Sequence, residues 1–146
     1  MGDNGADRTP AGGFIWPIRV YYEDTDAGGV VFYANYLKYL ERARTEWLRS
    51  LGFEQDLLRE RERVLFAVTR VELDYRQPAR FNEQLLVTTR LVERRRVGLT
   101  FAQEVRRHDD PAILCAGRVT LVCLDADRFR PRPLPERLKT EIEHGL

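Results

Sequence analysis

The spacing of apolar residues divides this chain into two regimes. Between Tyr33 and Leu51 the apolar positions Tyr36, Leu40, Ala43, Trp47 and Leu51 recur every three or four residues, and Lys38, Glu41, Arg42, Glu46 and Arg49 fill the opposite side. That is the period of an amphipathic helix, and Gly52 supplies its stop. A shorter charged helix is expected over Gln55 to Arg61. From Val64 onward the period changes to two. The segments Val64 to Tyr75, Gln84 to Arg94, Leu99 to Arg107 and Ile113 to Asp125 are rich in Val, Leu, Thr and Phe. Turn signals lie between them at Gln77-Pro78, Val97-Gly98 and Asp109-Asp110-Pro111. A further strand is expected from Phe14 to Tyr22, with Pro17 favouring an edge position. A helical turn from Pro135 follows the Pro/Arg stretch that begins at Arg128. Short connections predict that successive strands are antiparallel neighbours. The order strand, long helix, four strands is that of an α+β domain, an antiparallel sheet with one helix on one face. Residues 1–13 are polar and close on Pro10, Gly12 and Gly13, which reads as a disordered tail and leaves 14–146 as a single domain.

Composition narrows the possible functions. A length of 146 residues suits one domain with its own core. The net charge is +1, from 24 basic and 23 acidic residues, so the basic excess of a general nucleic-acid or membrane-surface binder is missing. No apolar run approaches the roughly 20 residues of a membrane span. The start lacks the basic-then-apolar order of a signal peptide, and a cytoplasmic location is the expectation. Cys115 and Cys123 sit eight positions apart in one expected strand, about 26 Å, too far for a disulfide. Neither forms a metal-ligand spacing with His108 or His144. They read as buried structural thiols, and no metal or cofactor is expected.

The chemistry is concentrated in Asp24-Thr25-Asp26-Ala27-Gly28-Gly29. Two carboxylates and two glycines lie between a strand end and a helix start, where first-turn N–H groups have no internal partners and negative charge is favoured. A carboxylate beside such amides is the outline of a hydrolase, a base next to an oxyanion site. The plainer alternative is that both aspartates cap turns or the helix. A calcium loop starting at Asp24 fails, since its fifth position is Gly28 and its twelfth is Asn35. An aspartyl phosphatase of the haloacid dehalogenase kind fails too, because Gly28 stands where Thr or Val belongs and the sheet expected here is antiparallel.

The longer string Arg19-Val20-Tyr21-Tyr22-Glu23-Asp24-Thr25-Asp26-Ala27-Gly28-Gly29-Val30-Val31-Phe32-Tyr33-Ala34-Asn35-Tyr36, continuing through Glu41-Arg42-Ala43-Arg44-Thr45-Glu46, resembles the signature of hot-dog acyl-CoA thioesterases. The likeness extends through Val122-Cys123-Leu124-Asp125 and Pro131-Arg132-Pro133-Leu134-Pro135, and is strongest to the small bacterial thioesterases associated with the Tol-Pal envelope system. The 4-hydroxybenzoyl-CoA thioesterases share the Asp-x-Asp-x-x-Gly layout more loosely. The resemblance implies a hot-dog fold, an antiparallel sheet wrapped around one long helix. It also implies hydrolysis of an acyl-CoA to free acid and CoA. Carried over by motif position, it makes Asp26 the catalytic carboxylate, general base or nucleophile. It assigns the Tyr33 backbone N–H to polarising the carbonyl, where many Tol-Pal-type members have His. Gly28 and Gly29 would let the backbone pass close to the substrate, and Asp24 would be structural.

Two arginine groups remain: Arg94, Arg95 and Arg96, followed by Thr100; and Arg128, Arg130 and Arg132, with Arg137 beyond. CoA carries three phosphates, which arginine suits, and in the resembled family a basic hairpin and the carboxy-terminal segment lie near the nucleotide. The alternative is a solvated face. Trp16 and Trp47 read as core or interface residues. The family likeness further implies a homodimer or homotetramer with sites at the subunit boundary, and an acyl carrier or envelope-system protein as a possible partner. Two competing functions stand beside the hydrolase. A hot-dog hydratase needs a catalytic His, and His108 and His144 lie outside the signature. Against a module that docks an envelope or lipid-synthesis protein with vestigial activity, retention of Asp26 and both glycines favours an active site and leaves partner binding open.

Overall fold

The computed structural model of the chain describes residues 7–9 and 13–145. Within the stretch expected as a tail, Asp7–Thr9 forms a short strand, β1, and the rest of that stretch up to residue 12 lies outside the described residues. The other strands are β2 (Gly13–Arg19), β3 (Val64–Tyr75), β4 (Gln84–Arg94), β5 (Gly98–Arg107) and β6 (Ile113–Asp125). The helices are α1 (Tyr36–Ser50), α2 (Gln55–Leu57) and α3 (Glu136–Gly145). β2 is shorter than expected, because the chain turns at Tyr22–Asp24 into one 3-10 turn. α2 widens into a π-helical turn over Leu58–Glu62.

All six strands form one antiparallel sheet in the order β1-β2-β4-β5-β6-β3. One expectation fails here: β3 and β4 are not neighbours. The eight residues 76–83 between them are too many for a tight turn. They cross the end of the sheet, past β6 and β5, a lateral step of about 14 Å at three strand spacings. The crossing is pinned by Arg76 and Gln77 N–H, which both donate to the Leu114 carbonyl at 2.8 and 3.1 Å. Consequently β3 is an edge strand of 12 residues.

The α1 face read from the sequence is the face that packs. Tyr36, Tyr39, Leu40, Ala43, Trp47 and Leu48 are buried against the concave side of the sheet. One core cluster centres on Trp47 and Phe101, whose rings meet edge to face at 5.0 Å. It is closed by Leu138 and Ile142, one turn apart on α3. The other joins Tyr36, Tyr39 and Leu40 to Val87, Val105 and Leu114. Between the clusters sits a buried amide, Gln103, whose Nε2 donates to the Leu40 carbonyl at 3.1 Å and to Thr89 Oγ1 at 2.8 Å. It ties the helix backbone to the sheet with its polar atoms paired, as burial requires. Cys115 and Cys123 are free and buried.

Two irregularities matter later. A bulge between Val68 and Arg70 changes which β3 residues face α1: Phe66 and Val68 before it, Val71, Leu73 and Tyr75 after it. At Gly117 the sheet admits no side chain, since a Cβ there would lie 2.0 Å from the Glu72 carbonyl oxygen.

Candidate active site

Residues 24–32 fold back on themselves as a small hairpin. The Phe32 N–H donates to the Asp24 carbonyl (3.0 Å), and the Asp26 N–H donates to the Val30 carbonyl (2.9 Å). Thr25 and Val31 form a bridge between the arms. At the tip the Gly29 N–H closes on the Asp26 carbonyl (3.0 Å) with Gly29 at φ +80°, the left-handed position of a three-residue hairpin loop. Asp26 Oδ1 accepts the Gly28 N–H at 2.8 Å, an Asx turn that fixes the carboxylate. Asp26 is exposed, so Oδ2 faces solvent.

The second arm is anchored to the 76–83 crossing by Val31 N–H to the Ala79 carbonyl (2.8 Å) and a Val30–Arg80 bridge. It then enters a 3-10 turn, Tyr33–Asn35, before α1. The helix therefore starts with a tighter turn than expected. The Tyr33 N–H opens that turn and has no intrahelical acceptor. Among the described residues nothing else accepts it. The Tyr33 carbonyl accepts the Tyr75 hydroxyl at 3.0 Å, which holds the turn against the end of β3.

Asp24 differs from Asp26 in its burial. It is buried, and its Oδ2 accepts the Tyr21 N–H at 2.8 Å. Its carbonyl also accepts Asn35 Nδ2 at 2.9 Å, which links the two arms. The buried Tyr39 hydroxyl lies beside it, outside hydrogen-bond geometry. Burial and the neighbouring Asp24 carboxylate push the Tyr39 pKa above its usual value.

A groove of about 240 Å³ opens beside the hairpin, lined by Val31, Tyr33, Tyr36, Tyr75, Arg76 and Pro78. Tyr36 and Tyr75 pack edge to face at 5.6 Å. The Tyr36 hydroxyl accepts the Ala79 N–H at 3.0 Å. Burial raises the pKa of both tyrosines, so both hydroxyls are neutral at physiological pH. His108 and His144 do not line this groove. Among the described residues no three of His, Cys, Asp and Glu gather as a metal-ligand set. No helix among them is long and apolar enough to cross a membrane.

Four of the candidate site residues, Asp26, Gly28, Gly29 and Tyr33, thus belong to one hairpin and its exit. The arginines do not join them. Arg94, Arg95 and Arg96 lie at the β4–β5 turn, and Arg128, Arg130 and Arg132 follow β6. The Leu134 N–H donates to the Arg96 carbonyl at 3.3 Å, so both groups share one end of the sheet. The Asp26 hairpin is at the other end, roughly 30 Å away along an 11-residue strand. Arg94 pairs with Glu143 (3.0 Å), Arg95 with Glu93 (2.8 Å) and Arg132 with Asp125 (3.7 Å). Arg96, Arg128 and Arg130 have no acidic partner among the described residues. Thr100 bonds Thr120 across the convex face at 3.1 Å. Sequence reading missed Tyr75 and Tyr36 as residues that line the groove.

Residues 20–142 match the model of the thioesterase-like superfamily. The acyl-CoA thioester hydrolase YbgC of Escherichia coli O157:H7 is 42% identical over 130 residues, covering 89% of this chain and 96% of that protein. The acyl-CoA thioesterase YbgC of Haemophilus influenzae is 39% identical over 132 residues, covering 90% of this chain and 96% of that protein. Among solved structures, a hypothetical protein from Thermus thermophilus superposes with a TM-score of 0.83 at 32% identity, over 90% of this chain and 98% of that one. A 1,4-dihydroxy-2-naphthoyl-CoA thioesterase from Synechocystis superposes at 0.81 with 22% identity, over 88% and 93%.

Proposed function

The chain belongs to the thioesterase-like superfamily and is an acyl-CoA thioester hydrolase of the hot-dog fold, and we propose that Asp26 and the Tyr33 N–H carry the reaction. The observation that supports this is their shared hairpin. An exposed carboxylate with one oxygen clamped stands on one arm, and an amide without an acceptor leaves the other. The arms set them three positions apart, about 10 Å of extended backbone, which leaves room for a thioester between them.

In the proposed step the Tyr33 N–H binds the thioester carbonyl oxygen, reinforced by the positive end of α1. Asp26 Oδ2 takes a proton from water as the water oxygen bonds to the carbonyl carbon. The oxyanion then collapses, the C–S bond breaks, and the CoA sulfur leaves with the electron pair and accepts the proton. A thiol leaves readily, its pKa being near 8.5, so no strong acid is needed. A direct attack by Oδ2, with the resulting anhydride hydrolysed afterwards, would use the same atom and the same amide. Asp26→Asn in a thiol-release assay tests the assignment; full turnover by the folded variant would refute it.

The reading includes a homodimer joined along β3. This edge strand exposes Val68 (49%), Val71 (40%) and Tyr75 (45%) on the side that faces α1, a pattern that calls for a partner. Pairing about a two-fold axis must set inner-face residues opposite inner-face residues. The full-overlap register does so: Val71 meets the partner's Val68, Leu73 meets Phe66, and Tyr75 meets Val64. The same rotation brings the partner's arginine end alongside the Asp26 end, so one subunit's arginines serve the CoA phosphates of the other's site. The phosphopantetheine of an acyl carrier protein would meet the same groups.

A further inference from the structure

Of the crossing residues 76–83 only Ala79 is buried, so apolar packing does little to hold them. The crossing nevertheless carries the hairpin. The Val31 N–H donates to the Ala79 carbonyl at 2.8 Å, Val30 bridges Arg80, and the Ala79 N–H donates to the Tyr36 hydroxyl at 3.0 Å. What fixes Ala79 and Arg80 in turn comes from β5. The inward positions along that strand are Phe101, Gln103, Val105 and Arg107, and the first three are buried. The fourth is a charge on the inner side of the sheet, paired across the ladder with buried Leu85.

The Arg107 guanidinium has two hydrogen-bond partners among the described residues, and both lie in the crossing. Nη2 donates to the Pro78 carbonyl at 3.0 Å, and Nε donates to Glu83 Oε2 at 2.6 Å. The other carboxylate oxygen, Oε1, accepts the Arg80 N–H at 2.7 Å, and the Glu83 N–H closes on the Arg80 carbonyl at 3.2 Å. Asn82 takes the left-handed conformation, φ +71°, which asparagine tolerates. One planar fork thus spans the first and last residues of the stretch 78–83 and shuts it into a ring. Inside the ring are Ala79 and Arg80, the two residues from which the hairpin hangs. The paired side chains are only 20% and 27% exposed, so solvent and salt screen them less than an open surface pair. The fixed donor directions of a guanidinium suit such bracing better than a flexible ammonium would.

Resting on the reading of Asp26 and the Tyr33 N–H as the catalytic pair, we infer that Arg107 and Glu83 are positioning residues for the hydrolysis. Their ion pair keeps the ring shut, the ring fixes the arm Val30–Phe32, and the arm sets the gap between Asp26 and the Tyr33 amide. Neither side chain touches the thioester. Their effect on the rate passes through Ala79 and Arg80.

The test joins amide hydrogen exchange, followed by NMR, to thiol release. The probe is whichever of butyryl-, hexanoyl- and benzoyl-CoA the wild type hydrolyses fastest. In Arg107→Met the Val31 amide should exchange at least about 10-fold faster than in the wild type, while amides of the β5–β6 ladder keep their rates. In the same variant kcat should fall at least about 10-fold, since a misplacement of about 1 Å can cost 10²-fold, and KM should stay within about 2-fold. An unchanged Val31 rate overturns the inference. Faster exchange throughout the sheet overturns it too, because the pair would then be a general support of the fold. A loosened Val31 with wild-type kcat, or a raised KM at constant kcat, also overturns it. If Arg107→Met does not fold, Glu83→Gln carries the same measurements and the same outcomes, since its amide end offers one acceptor oxygen where two are used. Asp26→Asn separates the two readings. Full turnover there refutes the catalytic assignment and this inference with it; a silent Asp26→Asn beside an unperturbed Arg107→Met refutes the positioning role alone.

Discussion

The two aspartates of the hairpin should respond to the same substitution in opposite ways. In Asp26→Asn the amide oxygen still accepts the Gly28 N–H now bound at 2.8 Å, and the position is exposed. Its stability cost should therefore stay within about 0.5 kcal/mol, typical of surface changes. What is lost, under the proposed assignment, is the base. Removing a general base costs about 10² to 10⁴ in rate, or about 2.7 to 5.4 kcal/mol of transition-state stabilisation at 1.36 kcal/mol per decade. In Asp24→Asn the side chain is buried and its Oδ2 holds the Tyr21 N–H at 2.8 Å. One rotamer keeps that acceptor but buries an amide NH₂ where the neighbour is the Tyr39 hydroxyl; the other loses the acceptor. Either leaves a buried polar group badly paired, at about 1–3 kcal/mol. For a domain of this size that is a fall in melting temperature of about 2–12 °C. Thiol release measured beside a thermal melt reads both axes. A stable but inactive Asp24→Asn, beside a destabilised but active Asp26→Asn, would show that the roles have been exchanged.

Four further outcomes are expected. Replacing Arg94, Arg95 and Arg96 with Ala should raise KM for acyl-CoA with kcat nearly constant, because contacts far from the carbonyl bind ground and transition states alike; an equal rise for an acyl-pantetheine lacking the nucleotide would contradict phosphate binding. Val71→Lys sets a charge opposite the partner's Val68, and sedimentation should show monomers with thiol release lost. Glu83 is pushed upward by burial, but Arg107 at 2.6 Å and the Arg80 N–H at 2.7 Å outweigh this and hold its pKa below 4.5. The stability difference between wild type and Glu83→Gln should thus be full above that pH and vanish as acid titrates the folded state, and a difference that persists in acid would contradict the pairing. Burial pushes Cys115 and Cys123 up to about 11, so native protein should not consume the thiol reagent of the assay at neutral pH; rapid reaction before unfolding would contradict their burial.

Periodicity recovered the extents of β4 and β6 because each alternates buried and more exposed residues; β3 keeps the same alternation of apolar and polar residues although its inner face is left largely exposed. It did not recover their order. Alternation says which way a side chain points, not which strand lies alongside, and only the length of the 76–83 crossing hinted that β3 leaves its sequence neighbour. The hairpin residues were legible from Asp26, Gly28, Gly29 and Tyr33, since a tight turn before a helix needs local chemistry. Tyr75 was hidden because its role depends on a contact with Tyr33 forty-two positions away. The arginines were visible as clusters, but their placement at the far end of the sheet depends on the fold. Their proposed service to a second subunit lies in no single chain.

The edge strand β3 also bears on how the protein is made. A newly synthesised protomer carries a 12-residue edge strand that β6 pairs on one side only, with Val68 and Val71 left exposed among the described residues. If β3 pairs with a second copy as proposed, any extended segment of another unfolded protein can add to that edge beforehand, so assembly competes with aggregation. On the convex side the strand carries Arg70, Glu72 and Asp74, charges that penalise a flat stack of misaligned sheets while leaving the two-fold pairing free. Soluble yield should therefore depend on how fast protomers meet. Overexpression that outruns chaperones should deposit this protein in inclusion bodies.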